Sequence, residues 1–369
     1  MYTVALFGAG KIGVAIAALL TGSGRYQVRV CDVTLKSAEA ITAQFSSCSA
    51  HQLNLKDEAG TLKLLTGCQA VISALPFFCN VEVARMAVKA GAHYLDLTED
   101  VETTRQVSAL ADGAAVALMP QCGLAPGFIS IAGADLTRSF ARVDSVRMRV
   151  GALPIYPSNR LKYNLTWSTD GLINEYCNLG EAIINGKLQA TQPLESYERI
   201  SLDGVEYEAF NTSGGLGTLC ETLAGKVRAL DYKTMRYPGH RDLVAFLLYD
   251  MGFLTERAEL KRIFERCMPG TGQDKCIVFV EVCGWSAEKL IQRTYASTIY
   301  HGMIGKHHFG AIQITTAAGI CAPLDLLLTG KLPRSAGFIR CEEITLTQFL
   351  QNEFGRYYQD EAAQRDLAG

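Results

Sequence analysis

Val4-Ala5-Leu6-Phe7-Gly8-Ala9-Gly10-Lys11-Ile12-Gly13 begins as an apolar run and breaks into a glycine-rich turn; a second apolar run, residues 26–31, closes on Asp32. Each residue type has a mechanical task in a strand-turn-helix-strand unit. Gly8 allows a tight turn off the strand, Gly10 lets the backbone approach a pyrophosphate, and Gly13 lets the helix pack closely on the sheet. The helix N terminus adds unpaired N–H groups and partial positive charge for phosphate oxygens. Ile12, Ile16, Leu19 and Leu20 recur at helical spacing behind the turn, and Gly22 and Gly24 stop the helix. Asp32 falls 24 residues after Gly8, where a carboxylate can accept hydrogen bonds from both hydroxyls of an adenosine ribose. Together these residues are the fingerprint of a dinucleotide-binding βαβ unit. Asp32 would repel an additional 2′-phosphate, and only Lys36 stands near to receive one, so NAD is expected rather than NADP.

Working outward, the N-terminal third alternates strand and helix patterns in the doubly wound manner. Strands are expected at residues 3–7, 27–31, 51–53, 70–74, 93–96 and 115–118, with helices at 37–45, 57–66 and 80–89. Ligands bind such α/β sheets beyond the carboxyl ends of the strands. That rule singles out Asn54 for the adenine edge, and Leu75 and Pro76 for the nicotinamide ribose. Lys11, Ile12 and Ala74 complete the expected cofactor contacts.

Beyond Gly127 the texture changes. Residues 143–151, 195–202, 276–284 and 290–299 read as longer strands, several with polar alternation, which points to a largely antiparallel mixed sheet. Helices at 172–177 and 241–251 are expected to cover it, giving an α+β second domain. Residues 312–329 form a strongly apolar helix ended by Gly330. The expected division is a Rossmann domain over 1–123, a substrate domain over 124–310, and a segment of about 311–345 packing back on the first domain. The last ten residues, polar and Ala-rich, are expected to fray.

Bulk properties narrow the function. A chain of 369 residues suits two domains, and 49% hydrophobic residues can fill two cores. Charged residues make up 20% with a net charge of −2 and a pI near 6.3. That balance leaves no electrostatic footprint for nucleic acid or an anionic membrane, so a small-molecule partner is expected. No uninterrupted apolar run reaches the roughly 18 residues of a membrane span, and a strand pattern begins almost at once; a soluble cytoplasmic protein is expected. The twelve cysteines are scattered without a C-x-x-C pair, which suits reduced, buried thiols. The one adjacent histidine pair, His307-His308, is ill placed to converge on a metal, and no metal site is assigned.

Four further motifs carry a resemblance: CGLAPG at 122–127, YNLTWSTDGLINEY at 163–176, NTSGGLGTL at 211–219 and RYPGH at 236–240. With the glycine loop they resemble the saccharopine dehydrogenase family, and within it the shorter members, including bacterial lysine 6-dehydrogenases. The likeness runs from about residue 2 to about residue 345. It implies NAD(P)-dependent oxidation of a C–N bond at the side-chain end of lysine or an N-substituted lysine, giving 2-aminoadipate 6-semialdehyde in lysine degradation. It also implies a homodimer. Ala125 stands where long saccharopine reductases typically carry Asp, and Asp32 stands near a position that is basic in NADP-using members. Both departures move the chain toward the NAD-using, catabolic branch. Two alternatives remain: reductive condensation of an amine and an aldehyde, as in carboxynorspermidine formation, and a dinucleotide sensor without catalysis.

Oxidation of an amine needs a positioned acid or base near the nicotinamide. Asp96, ending a strand at the expected face, is the first candidate for that role, or else a turn carboxylate beside Thr98; Glu99 is the second. His240 either shuttles the proton or caps the helix that follows. Arg236 is expected to clamp a substrate carboxylate, with a surface ion pair as its alternative. Tyr237 accompanies it. Lys162 either binds a carboxylate, aids proton transfer or is simply solvated. Ser213 and Gly214 either present N–H groups to the substrate or form an interdomain turn.

Overall fold

The computed structural model describes residues 1–359, so the expected fraying of the last ten residues lies outside the described residues. Six strands build the first sheet: β1 (Tyr2–Phe7), β2 (Tyr26–Asp32), β3 (Cys48–Gln52), β4 (Ala70–Ser73), β5 (His93–Asp96) and β6 (Ala117–Met119). A two-residue strand from near the C terminus, Gly337–Phe338, pairs in parallel beside β6. From that edge inward the order is β6, β5, β4, β1, β2, β3, all parallel. The order reverses between β4 and β1, and the loops after those two strands diverge there into a crevice. Residues such as Val4, Leu6, Val71 and Ile72 are fully buried, as both faces of a helix-covered parallel sheet require. Expected strand positions agree to within a few residues, apart from β3, which begins at Cys48 rather than residue 51.

The second sheet is mixed. Its strands are β7 (Arg142–Pro154), β8 (Gly180–Ile184), β9 (Lys187–Thr191), β10 (Glu198–Leu202), β11 (Val205–Asn211), β12 (Val227–Arg236), β13 (Asp274–Ser286) and β14 (Lys289–Tyr300). The order is β10, β11, β12, β7, β13, β14, with the β8–β9 hairpin attached to β12. Only β12 and β7 run parallel in it; the other pairings are antiparallel. The sequence pattern does not reveal β12, because Arg228, Asp231, Lys233 and Arg236 interrupt its hydrophobicity. The fold pairs much of that charge internally: the buried Arg149 of β7 meets Asp231 at 2.8 Å and also Glu198, which Lys233 reaches at 2.7 Å.

One apolar core crosses both layers. The helices Lys11–Gly22, Phe128–Thr137 and Ala311–Leu328 contribute to it from three parts of the chain. The helix Ala311–Leu328 is long and apolar enough to cross a membrane, yet 83% of it is buried within the protein. It passes hard against the loop between the domains: a Cβ at Gly319 would lie 2.6 Å from the Gly123 carbonyl oxygen. All twelve cysteines are unbridged.

Candidate active site

The glycine loop is shaped by close approaches. Gly8 has φ +108°, and a Cβ there would sit 2.7 Å from the Ala74 carbonyl oxygen; at Gly13 it would sit 2.1 Å from the Gly8 oxygen. Side chains at either position would push β1, its loop and the helix apart. A Cβ at Gly10, by contrast, meets nothing within 4 Å, so Gly10 borders open space. The first intrahelical bond runs from Val14 N–H to the Gly10 oxygen, leaving the N–H groups of Lys11, Ile12 and Gly13 ahead of it. Asp32 fixes the loop: its Oδ2 accepts from Ala9 N–H at 2.8 Å and its Oδ1 from Thr34 N–H at 2.9 Å. A carboxylate accepts about four hydrogen bonds, so capacity remains for a ribose. Open cradle, aligned donors and a placed carboxylate fit a dinucleotide. Asn54 does not join them: its side-chain oxygen accepts from Lys56 N–H in an exposed turn after β3.

From this loop a cavity of about 1000 Å³ runs between the domains. Ile12, Ala74, Leu75 and Pro76 line its cofactor end, residues 123–126 its floor, and Trp167, Glu175, Tyr232 and Arg236 its far wall. Arg257 and Lys261 stand at its rim, where Lys261 is paired with Asp170 at 2.7 Å.

Arg236, the last residue of β12, is 2% exposed. Its Nε donates to the Tyr176 hydroxyl oxygen at 2.9 Å and its Nη1 to the Met235 carbonyl at 3.0 Å. The guanidinium carbon lies 4.9 Å from the centre of the Tyr163 ring. Burial opposes its charge, but Tyr176, Tyr163 and Glu175 more than offset that and hold it cationic. Its Nη2 is 3.6 Å from Glu175 Oε2, too far for a hydrogen bond, and Oε2 is buried without one. Burial pushes the Glu175 carboxyl up to about 7, with Arg236 opposing and the neighbouring Glu99 adding to the rise. Burial also raises Glu99.

The geometry turns Asp96, His240 and Lys162 away from the catalytic and substrate-binding roles expected of them, and for Asp96 and Lys162 it selects the alternatives, a turn carboxylate beside Thr98 and a solvated lysine. Asp96 is fully buried and faces the seam between β5 and β6 rather than the cavity. Its oxygens accept from Tyr94 O–H, Thr98 N–H and Gln121 N–H, which makes it a loop anchor. His240 is 2% exposed and does not line the cavity. Its Nδ1 lies 2.7 Å from the Leu161 carbonyl, which can only accept, so Nδ1 carries the proton and Nε2 accepts from Tyr176 O–H at 2.9 Å. Burial, with Arg236 nearby, lowers its pKa to about 3, so it stays neutral. Lys162 is exposed and donates to the Pro238 carbonyl.

Tyr237 also stands aside, bonded to the Pro154 carbonyl and stacked on Tyr207. Ser213 and Gly214 act on the site from behind. Ser213 donates its N–H to the Glu175 carbonyl and its hydroxyl to the Asn174 carbonyl. Gly214, at φ +83°, packs so closely that a Cβ on it would lie 3.0 Å from the Glu99 Cβ. The NTSGG loop thus holds the two acids side by side. Glu175 escapes the sequence reading because an acid late in an amphipathic helix, Thr169–Cys177, reads as solvent-facing; only its place inside a shared motif marks it.

A dinucleotide-type parallel sheet, closed by a mixed-sheet domain over a cavity with buried ionisable groups, is the architecture of the two-domain nicotinamide-dependent dehydrogenases. Residues 4–119 match the saccharopine dehydrogenase NADP binding domain, and residues 123–356 match the saccharopine dehydrogenase C-terminal domain. The chain belongs to the saccharopine dehydrogenase family. It is 22% identical over 269 residues to the NADP+, L-glutamate-forming saccharopine dehydrogenase of Schizosaccharomyces pombe, covering 70% of this chain and 60% of that relative. The apo L-Glu-forming saccharopine dehydrogenase of Saccharomyces cerevisiae superposes with a TM-score of 0.76 at 17% identity, covering 93% of this chain and 94% of that one. The homospermidine synthase of Legionella pneumophila, solved with NAD, gives a TM-score of 0.70 at 13% identity, covering 98% and 90%.

Proposed function

We propose that the protein oxidises the C6–N bond of saccharopine, releasing glutamate, or of L-lysine, releasing ammonia, to give 2-aminoadipate 6-semialdehyde. The observation that carries this reading is the continuous cavity joining the glycine loop to Arg236. Its cofactor end is apolar and its far wall holds a fixed guanidinium, which seats a substrate carboxylate in the same cavity as the nicotinamide. Bound there, the nicotinamide accepts a hydride. The protein's own task is to hold the substrate carboxylate at Arg236, exclude water with Trp167 and residues 123–126, and manage the amine proton.

NAD is the proposed cofactor. The matched nucleotide domain and the Schizosaccharomyces pombe relative are named for NADP, but here the Asp32 carboxylate occupies the end of β2, where it repels a 2′-phosphate. A second reading, reductive joining of an amine and an aldehyde, is favoured by one observation: with Asp170 paired to Lys261 at the rim, two further carboxylates, Glu99 and Glu175, line the cavity near Arg236, where they could receive an amine cation. A cytoplasmic homodimer belongs to the first reading, and light scattering at the monomer mass would remove the dimer. Initial rates with saccharopine and L-lysine, each with NAD and NADP, test the whole proposal. Turnover with either amine and NAD supports it; reaction only in the condensing direction selects the second reading.

A further inference from the structure

Resting on that reading, we propose that Glu175 is the catalytic residue that takes the proton from the substrate amine before the hydride leaves. The cavity-lining ionisable groups narrow the choice. Asp170 is exposed and paired with Lys261 at the rim. Arg236, Arg257 and Lys261 are cations. Glu99 and Glu175 are both half-buried, and Glu99 packs its Cβ against Gly214. Among the described residues, Glu175 alone of the cavity's carboxylates has a buried oxygen without a hydrogen bond. A buried acceptor left open in a cavity is costly unless a ligand donor meets it.

Its surroundings also fix it in place. The carbonyls of Asn174 and Glu175 are held by Ser213, and the carboxylate faces Arg236, itself braced by Tyr176 and, behind that, His240. With the glutamate carboxylate of saccharopine, one carbon from the reacting nitrogen, Arg236 serves twice, as carboxylate clamp and as the cation that keeps a share of the neighbouring Glu175 ionised. Burial, opposed by that cation, puts the acid close to neutrality, where a general base works best.

The ammonium form of the substrate gives one proton to Glu175 and becomes a neutral amine. Its nitrogen lone pair forms the C=N bond as the C6–H bond breaks, and the hydride's electron pair reduces NAD to NADH while the carbon is oxidised. Water adds to the iminium carbon with loss of a proton to solvent, Glu175 returns its proton to the nitrogen as the C–N bond of the carbinolamine breaks, and the hydroxyl proton released as C=O forms passes to the freed amine, which leaves as ammonium. The sum is one aldehyde, one ammonium product, NADH and one proton.

The test compares the wild type with Glu175→Gln and Glu175→Asp, after circular dichroism has shown that each folds. With whichever amine the wild type oxidises, Gln lowers kcat about 10²- to 10⁴-fold, shifts KM only a few-fold and abolishes the near-neutral rise in kcat/KM with pH; Asp restores part of the rate. A Gln variant that keeps wild-type kcat and the near-neutral limb overturns the proposal. Carboxyl ¹³C NMR of glutamate-labelled full-length protein with NAD supplies a readout independent of turnover. A resonance titrating near neutrality and missing from Glu175→Gln supports the assignment, and its absence from the wild type overturns it. A wild type inert toward both amines would instead fail the functional reading, leaving the NMR result to decide Glu175.

Discussion

His240 Nε2 lies 2.9 Å from the Tyr176 hydroxyl, and the oxygen of that hydroxyl receives the Arg236 Nε–H. The tautomer follows from the Leu161 carbonyl at Nδ1, so the protons of the chain run one way, from arginine to tyrosine to histidine. His240 is a positioning residue for the guanidinium. His240→Ala is expected to raise KM for a carboxylate-bearing amine about 10-fold while leaving the near-neutral limb of the pH profile in place; loss of that limb would return His240 to proton transfer.

The same burial predicts a pH dependence of stability. The folded pKa of His240 is lowered to about 3 from an ordinary 6.5, so between those values the unfolded chain binds the extra proton. The contribution is fully present above about pH 6.5 and is lost as pH falls toward 3. Denaturant midpoints should therefore fall on acidification through this window, and His240→Gln should flatten the slope; an unchanged slope would refute the burial argument.

The glycine loop separates folding from binding. Gly10→Ala places a methyl in open space and should leave Tm within about 2 °C, since surface changes stay within about 0.5 kcal/mol. NADH affinity, followed by fluorescence titration, should nevertheless drop at least tenfold, because the methyl enters the phosphate path. Gly13→Ala meets the Gly8 oxygen at 2.1 Å and should lower Tm as well. Equal behaviour of the two variants would remove Gly10 from the phosphate site.

Asp32→Ser keeps a hydroxyl acceptor for the Ala9 N–H while removing the charge. The ratio of kcat/KM for NADP to that for NAD should rise by more than tenfold, consistent with a few kcal/mol of like-charge repulsion. An unchanged ratio would show that Asp32 does not set the cofactor preference.

Asp96 gives the counterpart to Glu175. Asp96→Asn turns an amide N–H₂ toward at least one of three donors, a loss of about 2–3 kcal/mol that thermal melts would detect, with kcat of the folded fraction close to wild type. A large fall in kcat without loss of Tm would restore Asp96 to the chemistry.

The first sheet is legible in the sequence because its code is local: glycines at fixed offsets, apolar strands and a carboxylate at the end of β2. The strand–helix alternation of a doubly wound sheet follows from those pieces. The second domain is less so. β12 carries four charges that only its neighbours neutralise, and β8, β9 and β11 are short or half exposed. At the site, Arg236 follows from its chemistry, but Asp96 and His240 rest on strand ends and motif membership, neither of which tells which way a side chain faces. Glu175 is the reverse case: an unremarked helix position whose burial against Arg236 exists only in three dimensions.

The most direct test is the initial rate of NADH formation with saccharopine and L-lysine as parallel substrates. Turnover of one of them with NAD, favoured over NADP, is the expected result, with collapse of that rate in Glu175→Gln. Oxidation of neither amine with either cofactor, by a folded protein that binds NADH, would contradict the proposed activity.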